Sequence, residues 1–586
     1  MILDQQRVYD GVTSFAGGMD AGRNPVLIDA DQCQSIENGV CRGGTLSPRP
    51  AFRNLTINFT NDIEYDETGN HGGANPVGSE VAFTTGLYQG ALYYDPSLIS
   101  EMFVVMVGGR IFQVVPRRTT ADVTEINLTT QNRANIPIAY MVQADRWVII
   151  QDGESGPIIF DGVVARRAGV NEIFTGKEMA YGMGRIVLVG KNERDIYFGD
   201  LYGSHEGEPG GSVLQFTETT FLSEGGAASL PFTMGHCHGL AFIPEQDTSM
   251  GQGQLFAFAD KGAASFFLDL DRTLWKTSQF QVMALVDIGG RGHRAFTAVN
   301  GDIWFRANDG WRAYRQARAE AKGWFQLPLS TEVSNFVDVE TPSLLDLASS
   351  IHFNNRLLTT VTPIWNQGRP YHNGILSLDF DVLSSFGQAA HKPSWDGHWS
   401  GLQVTQLVEG RFNGDYRAFA FGLDDEGNNA LYEIDDTATE DTSGPITLTV
   451  VPKSFTSNQY FNEDRLLDAD TWFEGVRENT TIQSWFKPDD YPDWIPWRTS
   501  DHYPLPQLTP IGAPGALANG SPTLREGFMP RRGFGIPKCG TDKSTARDFL
   551  RGYEYHVKLS LTGNAGINRF RISTLNTTEK SKSTPN

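Results

Sequence analysis

Gly289-Gly-Arg-Gly-His-Arg-Ala-Phe-Thr-Ala-Val-Asn-Gly-Asp-Ile-Trp-Phe-Arg-Ala-Asn-Asp-Gly-Trp311 is the stretch that decides the fold. Ala295 to Val299 alternates apolar and polar residues, which puts one face of an extended strand in a core. Asn300-Gly301 then supplies two residues that tolerate positive φ, the requirement of a tight two-residue turn, and Asp302 to Arg306 returns as the partner strand. Asn308-Asp-Gly310 offers a second turn. The stretch therefore predicts a β-hairpin with a third strand to follow.

Weaker copies of this cassette lie on both sides. Glu101-Met-Phe-Val-Val-Met-Val-Gly-Gly-Arg-Ile-Phe-Gln-Val-Val115 is two apolar strands about a Gly-Gly turn. Further pairs are Asp145–Gly153 with Pro157–Gly162, Gly184–Val189 with Asp195–Phe198, and Gln254–Gly262 with Ser265–Leu268. Beyond the deciding hairpin come Asn355–Val361, Gly374–Phe380, and Tyr416–Leu423 with Asn429–Ile434. Spacings of roughly 40 to 60 residues match a propeller blade with loop insertions. The expected fold is all-β, a β-propeller of six to seven blades; residues 199–250 and 381–410 are too irregular to fix the count. Arg312–Gly323 is expected to hold a short helix, as is Thr341–Ser350, where Thr341 can cap and Pro342 suits the first turn.

The flanks read differently. The first fifty residues carry Phe15-Ala-Gly-Gly-Met19, Asp31-Gln32, Glu37-Asn38-Gly39 and Arg42-Gly-Gly-Thr-Leu-Ser-Pro-Arg-Pro-Ala-Phe52. Gly and Pro at this density predict an extended arm with turns. A shift to Asp, Thr, Ser and Gly over 435–444 marks a second boundary. Past it, Arg465–Gly475, Thr481–Phe486 and Trp494–Trp497 precede a Pro/Gly-rich loop at 504–540, and Tyr553–Gly563 and Ile567–Ile572 close the chain as strands. The expected organisation is an extended N-terminal arm at 1–55, a β-propeller at 56–440, and a C-terminal β-sandwich or platform domain at 441–586.

Composition narrows the function. At 586 residues the chain exceeds what one core normally serves. High counts of Gly (62) and Phe (36) favour turns and aromatic strands. No apolar run is long enough to span a bilayer as a helix, and the first ten residues lack the basic start and apolar core of a secretory signal. Cys33, Cys41, Cys237 and Cys539 show no C-x-x-C spacing, which leaves buried free thiols or a Cys33–Cys41 disulfide. The net charge of −21 is uneven: residues 531–586 hold eleven Lys or Arg against four Asp or Glu, a net of +7, leaving −28 upstream. So acidic a surface repels nucleic acid, while the basic tail could dock on an acidic neighbour or simply be solvated.

Sites of chemistry are sparse. His236-Cys237-His238 places two imidazoles on one face of a strand, but no second ligand pair stands nearby, so structural polar residues are expected in place of zinc. Asp269-Leu-Asp271, Asp379-Phe-Asp381 and Asp424-Asp-Glu426 lack the closing Glu of a calcium loop and are expected to cap turns. Ser394-Trp-Asp-Gly-His-Trp399 is similar to the Asp-box of sialidase-type propellers but lacks the spacer before Gly and the Thr. No nucleophile elbow, phosphate loop or His-Glu-x-x-His occurs. No catalytic residue, metal site or cofactor is expected, and the chain is not expected to be an enzyme.

The order Gly-Gly, a Gln about fifteen residues on, Asn-Gly, Gly-Gly and Arg-Pro-x-Phe over Gly17 to Phe52 resembles the opening of tailed-phage virion proteins of the tail-nozzle (tail tubular) type. The order Arg-Leu, Trp, aromatic strand, Pro-Asp, Trp and a last strand ending in Thr-Gly resembles the distal half of such propeller-bearing tail proteins. This resemblance implies a homo-oligomeric ring, a hexamer, that packs against an adaptor, mounts fibres, and lets DNA pass without specific binding. It implies a protein made in the host cytoplasm and located in the virion tail. Gly17, Gly18, Asn38, Gly43, Gly44, Arg49 and Pro50 are the expected assembly contacts, with turns inside one subunit as the other reading. The alternative function is a receptor- or glycan-binding propeller at the tail tip, using exposed aromatics such as Trp395 and Trp399. A glycosidase is a third.

Overall fold

The computed structural model describes residues 7–65, 77–96, 101–128, 130–203, 212–216, 226–244, 252–268, 275, 280–320, 327–381, 393–438, 440–456, 464–476, 479–489, 491–502, 524–528 and 551–576. The chain forms two compact units. One comprises Met1–Ala51, Leu376–Ser400 and Asp435–Asn586; the other comprises Phe52–Ile375 and Gly401–Ile434. The sequence boundaries at 55/56 and 440/441 lie within a few residues of these, but the excursion at 376–400 falls inside the segment read as propeller.

The second unit is the β-propeller. Its deciding stretch folds as three antiparallel strands, Arg291–Val299, Asp302–Ala307 and Gly310–Ala313. Thr297 lies opposite Trp304 and Phe305 opposite Arg312. Asn300 and Gly301 take φ of 50° and 75°, the left-handed pair that a hairpin with right-handed strand twist demands. Gly108-Gly109, Met183-Gly184, Asn354-Asn355 and Asn413-Gly414 repeat this positive-φ pair at the tips of four other hairpins. Each is a place where the chain can reverse in two residues and keep its register.

Among the described residues seven first strands succeed one another around a hub: Tyr88–Tyr94, Tyr140–Ala144, Gly176–Gly182, Cys237–Pro244, Arg291–Val299, Ser350–Phe353 and Gln403–Phe412. Each packs beside the next, and the last beside the first, so the ring is closed with seven blades. Polar groups stitch neighbours together there. Gly176 N–H donates to Gln151 Oε1 (2.6 Å), Leu407 N–H to Ser349 Oγ (3.0 Å), and Gln406 Nε2 to Ala91 O (2.8 Å). Buried polar groups without such partners would be costly.

Between blades the packing is apolar. Phe103, Phe112, Phe412, Phe419, Phe421 and Leu431 fuse the first and last blades, with the Phe103 and Phe412 rings 4.9 Å apart. Ile149, Ile159, Ile186 and Leu188 join the second and third, and Phe258, Ile303 and Phe305 the fourth and fifth. Closure uses the beginning of the unit. Ala51–Asn54 is the outer strand beside Asn429–Asp435, and Thr56–Phe59 runs parallel to Thr120–Glu125 as an extra outer strand of the first blade. Leu55 N–H donates to Leu431 O at 2.9 Å between those two strands. The two successive strands thus join the seventh blade to the first.

Two helical expectations come out differently. Tyr314–Glu320 is a short α-helix within the expected 312–323. Residues Pro342–Leu347 form a 3₁₀-helix and not an α-helix, and the Thr341 side chain makes no capping bond. The Thr341 carbonyl accepts from Leu344 N–H instead, so Pro342 fixes the turn and no hydroxyl is needed.

The first unit is also all-β but its pairings are long-range. Arg7–Val12 pairs antiparallel with Gly566–Asn576, which pairs in turn with Asp464–Glu474. In a second sheet Gln32–Glu37 lies beside Thr447–Pro452, which neighbours Glu554–Thr562 and then Thr480–Pro488. Phe455 and Phe570 face each other at 5.5 Å, and Tyr555 Oη donates to Asp464 O at 2.7 Å, joining the two layers. Residues 7–51 are thus paired strands and turns of this unit. The 504–540 loop lies outside the described residues.

Candidate functional site

The residues expected at assembly contacts sit in the first unit. Asn38 is in the left-handed region, φ 56°. Its Oδ1 accepts from Arg49 Nε (2.9 Å) and Ser400 N–H (2.8 Å), and its Nδ2 donates to Ser400 Oγ (3.0 Å). Arg49 is buried; it donates to Pro50 O (2.8 Å) and Ser400 O (3.0 Å) and forks onto Asp441 at 2.9 and 2.7 Å. Pro50 is buried as well. Gly18, at φ 69°, passes so close to Trp395 that a Cβ would stand 2.4 Å from its carbonyl oxygen, so only glycine fits. Gly17 N–H donates to Asp31 O, and Gly44 O accepts from Phe15 N–H. Gly43 is exposed with open space around it. Six of the seven are therefore tied into their own unit, with Gly43 facing outward.

The aromatics named for glycan recognition fail. Trp395 and Trp399 are each only 1% exposed, and Trp399 Nε1 donates to Gly39 O at 3.0 Å. The Ser-Trp-Asp-Gly-His-Trp segment is a strand, Ser394–Trp399, in which Asp396 is buried and accepts from Cys41 N–H (2.9 Å) and Ser377 Oγ (3.0 Å). Both faces of this strand are covered, so the two tryptophans on one side and Asp396 on the other are all buried. Asp379 accepts two bonds from Arg42 at 2.9 and 3.0 Å and caps Asp381 N–H; Asp424 caps the turn at Glu426 and Asn428. Asp269 to Asp271 lie outside the described residues. Cys33, Cys41 and Cys237 are buried free thiols, and Cys539 is outside the described residues.

What the sequence did not single out is the propeller hub. Five of the inner strands contribute polar residues where apolar ones would be expected: Gln89, Tyr140, Glu178, His238, His293 and Arg294. His238 bridges two carboxylates, with Nε2 2.9 Å from Asp260 Oδ1 and Nδ1 3.3 Å from Asp346 Oδ1. Arg291 Nη2 lies 2.9 Å from the same Asp260 oxygen. Burial works against a charged imidazole, yet hydrogen bonding and charge from Asp346 outweigh it and hold the His238 pKa above 6.5. Asp260 and Asp346 are lowered in return: burial opposes this, but the Asp260 bonds from His236 N–H and His238, and the His238 bond to Asp346, prevail. His238, whose Nε2 also lies 2.9 Å from Arg291 Nη1, thereby ties the fourth and fifth blades to the 3₁₀-helix carrying Asp346.

Deeper in the hub burial governs the chemistry. Burial and the neighbouring Arg294 charge hold His293 well below its ordinary pKa, so its ring is neutral, 4.9 Å from Tyr140. Arg294 donates to Gln89 O and, at 3.0 Å, to His293 Nε2. Cys237 borders the same space, but burial raises its thiol pKa and makes it a poor nucleophile. Only His236-Cys237-His238 pointed here in the sequence; its partners Asp260, Arg291 and Asp346 are brought in by blade packing.

The sequence matches no family model and no curated protein. Similar solved structures include BBS1N in complex with ARL6DN (11% identity, 60% of this chain and 98% of that chain, TM-score 0.32). BamB from Moraxella catarrhalis matches at 11% identity over 67% of this chain and 97% of its own, TM-score 0.30. Saccharomyces cerevisiae Sqt1 matches at 9% identity over 60% and 98%, TM-score 0.30.

Proposed function

We propose that the chain is a structural component of a phage tail, a nozzle or tail-tube extension that assembles as a homo-oligomeric ring through which DNA is ejected. The observation that carries this reading is the topology. Arg7–Val12 and Gly566–Asn576 are woven into one β unit, and the propeller is an insertion in that unit's sequence. A unit closed by strands from both sides of an insertion suits a platform that packs in a ring, and an inserted propeller suits a rigid mount for fibres. The resemblance over Gly17 to Phe52 implies the same order of parts. The acidic charge of the first 530 residues favours a passage that repels DNA.

In this reading the ring is a hexamer that contacts an adaptor and fibres, does no covalent chemistry, and resides in the virion tail. The experiment is the mass of the purified chain by light scattering, alone and after mixing with tail extract. A discrete ring of about six copies, or incorporation into tails, is the expected result. A stable monomer that ignores tails would overturn it.

A further inference from the structure

A cavity of about 210 Å³ opens in the propeller hub, walled by Ile138, Tyr140, Lys177, Glu178, His293 and Asp346. Glu178 comes from Gly176–Gly182, the first strand of the third blade, and is 8% exposed. Its carboxyl makes no hydrogen bond to any described residue, although buried polar groups are almost always partnered. Among the described residues, the basic side chains near Glu178 are already engaged. Lys177 pairs with Glu193, Arg291 and His238 are held by Asp260 and Asp346, and Arg294 donates to Gln89 O and the His293 ring. Burial and the Asp346 charge raise the Glu178 pKa well above the ordinary carboxylate range, as expected for an acid lacking a counter-charge.

We infer that this cavity is a binding site for a small aliphatic ammonium ion, whose N–H groups bond to Glu178 while its methylenes lie against Ile138 and Tyr140. The size fits: a cavity of about 150 Å³ takes benzene, so this one holds roughly six to nine heavy atoms. A divalent metal is a poorer match, because hard cations need several convergent oxygen ligands, and among the described residues no three His, Cys, Asp or Glu side chains converge on a point. A neutral ligand would leave the carboxyl either protonated or without a counter-charge. The inference stands apart from the tail reading, since it concerns one subunit's hub alone.

The test uses the full chain with 1,4-diaminobutane as probe, followed by thermal unfolding and titration calorimetry. The expected result is saturable heat and a rise in melting temperature, both lost in Glu178→Gln, which keeps the shape and removes the charge. Butane-1,4-diol and magnesium should give neither. Absence of heat and shift in the wild-type chain, an unchanged response in Glu178→Gln, or a response to magnesium in place of the amine would each overturn the inference. Should Glu178→Gln fail to fold, Ile138→Trp fills the cavity from its wall without touching the ion pairs. Loss of the response there supports the site, and its retention refutes it.

Discussion

In the propeller unit Thr297 lies opposite Trp304, seven residues away; in the other unit Tyr9 lies opposite Ser573. Both units are all-β, both bury aromatic rings between layers, and both rely on strand alternation. They differ in how far along the chain a strand must reach for its partner. A hairpin closes a loop of two residues, whereas the pairing of Arg7–Val12 with Gly566–Asn576 closes nearly the whole chain. Loop-closure entropy grows slowly with length, so the distant pairing is affordable at equilibrium, but it forms late and depends on everything between.

The sharpest way to break the comparison is to delete residues 566–586. The strand they hold pairs with both Arg7–Val12 and Asp464–Glu474, so the amides of 464–474 that bond to it should lose hydrogen-exchange protection. Amides in the hairpin at 295–306 should keep theirs. Protection retained at 464–474 would show that the long-range pairing is dispensable. A point change in the propeller should act more locally: Phe103→Ala, at the packed seam of the first and last blades, should cost about 4 kcal/mol, read from denaturant melts.

Next in size is Arg49→Ala. It removes the guanidinium donors to the Asp441 carboxylate and to Asn38 in a site where the Arg49 side chain is 1% exposed, and should cost about 3 kcal/mol. An unchanged melting midpoint would free Arg49 for a role outside its own subunit. The smallest effect is a pH dependence. Glu409, on the inner strand of the seventh blade, has its pKa raised by burial from 4.5 to about 7. Between those values the folded chain binds more proton than the unfolded one, so stability falls as pH rises through that window. Glu409→Gln should match wild type near pH 4 and exceed it by about 2 kcal/mol at pH 8, with urea midpoints as the readout.

The same difference in range explains what could be read from the residues. Asn300-Gly301 and Gly108-Gly109 announce their hairpins because the information is local: two positive-φ residues between alternating strands. The blade count stayed between six and seven because the strand Ser350–Phe353 is short, and because the chain leaves the propeller unit after Ile375 and returns at Gly401 without a compositional signal. Trp395 and Trp399 looked available for recognition since aromatics in a Gly-containing strand carry no mark of which side faces water. The hub was the hardest to see. His238 was visible as a metal-capable residue, yet its partners Asp260 and Asp346 come from 22 and 108 positions downstream, and Glu178 reads as an ordinary strand carboxylate until burial is known. Whether Gly17, Gly18, Asn38, Gly43, Gly44, Arg49 and Pro50 meet other copies is what light scattering on Arg49 and Gly43 variants would decide.

The outer strand Ala51–Asn54 has one more consequence, which concerns the order of synthesis on the ribosome. It leaves the exit tunnel early, but its neighbour Asn429–Asp435 is made some 380 residues later. At roughly 5–20 residues per second that is a wait of about 20 to 75 seconds with an unpaired strand. Blades formed meanwhile stand as an open arc, and the strand is free to pair with another nascent copy. The growing chain is therefore an expected client of holdase chaperones until its seventh blade emerges.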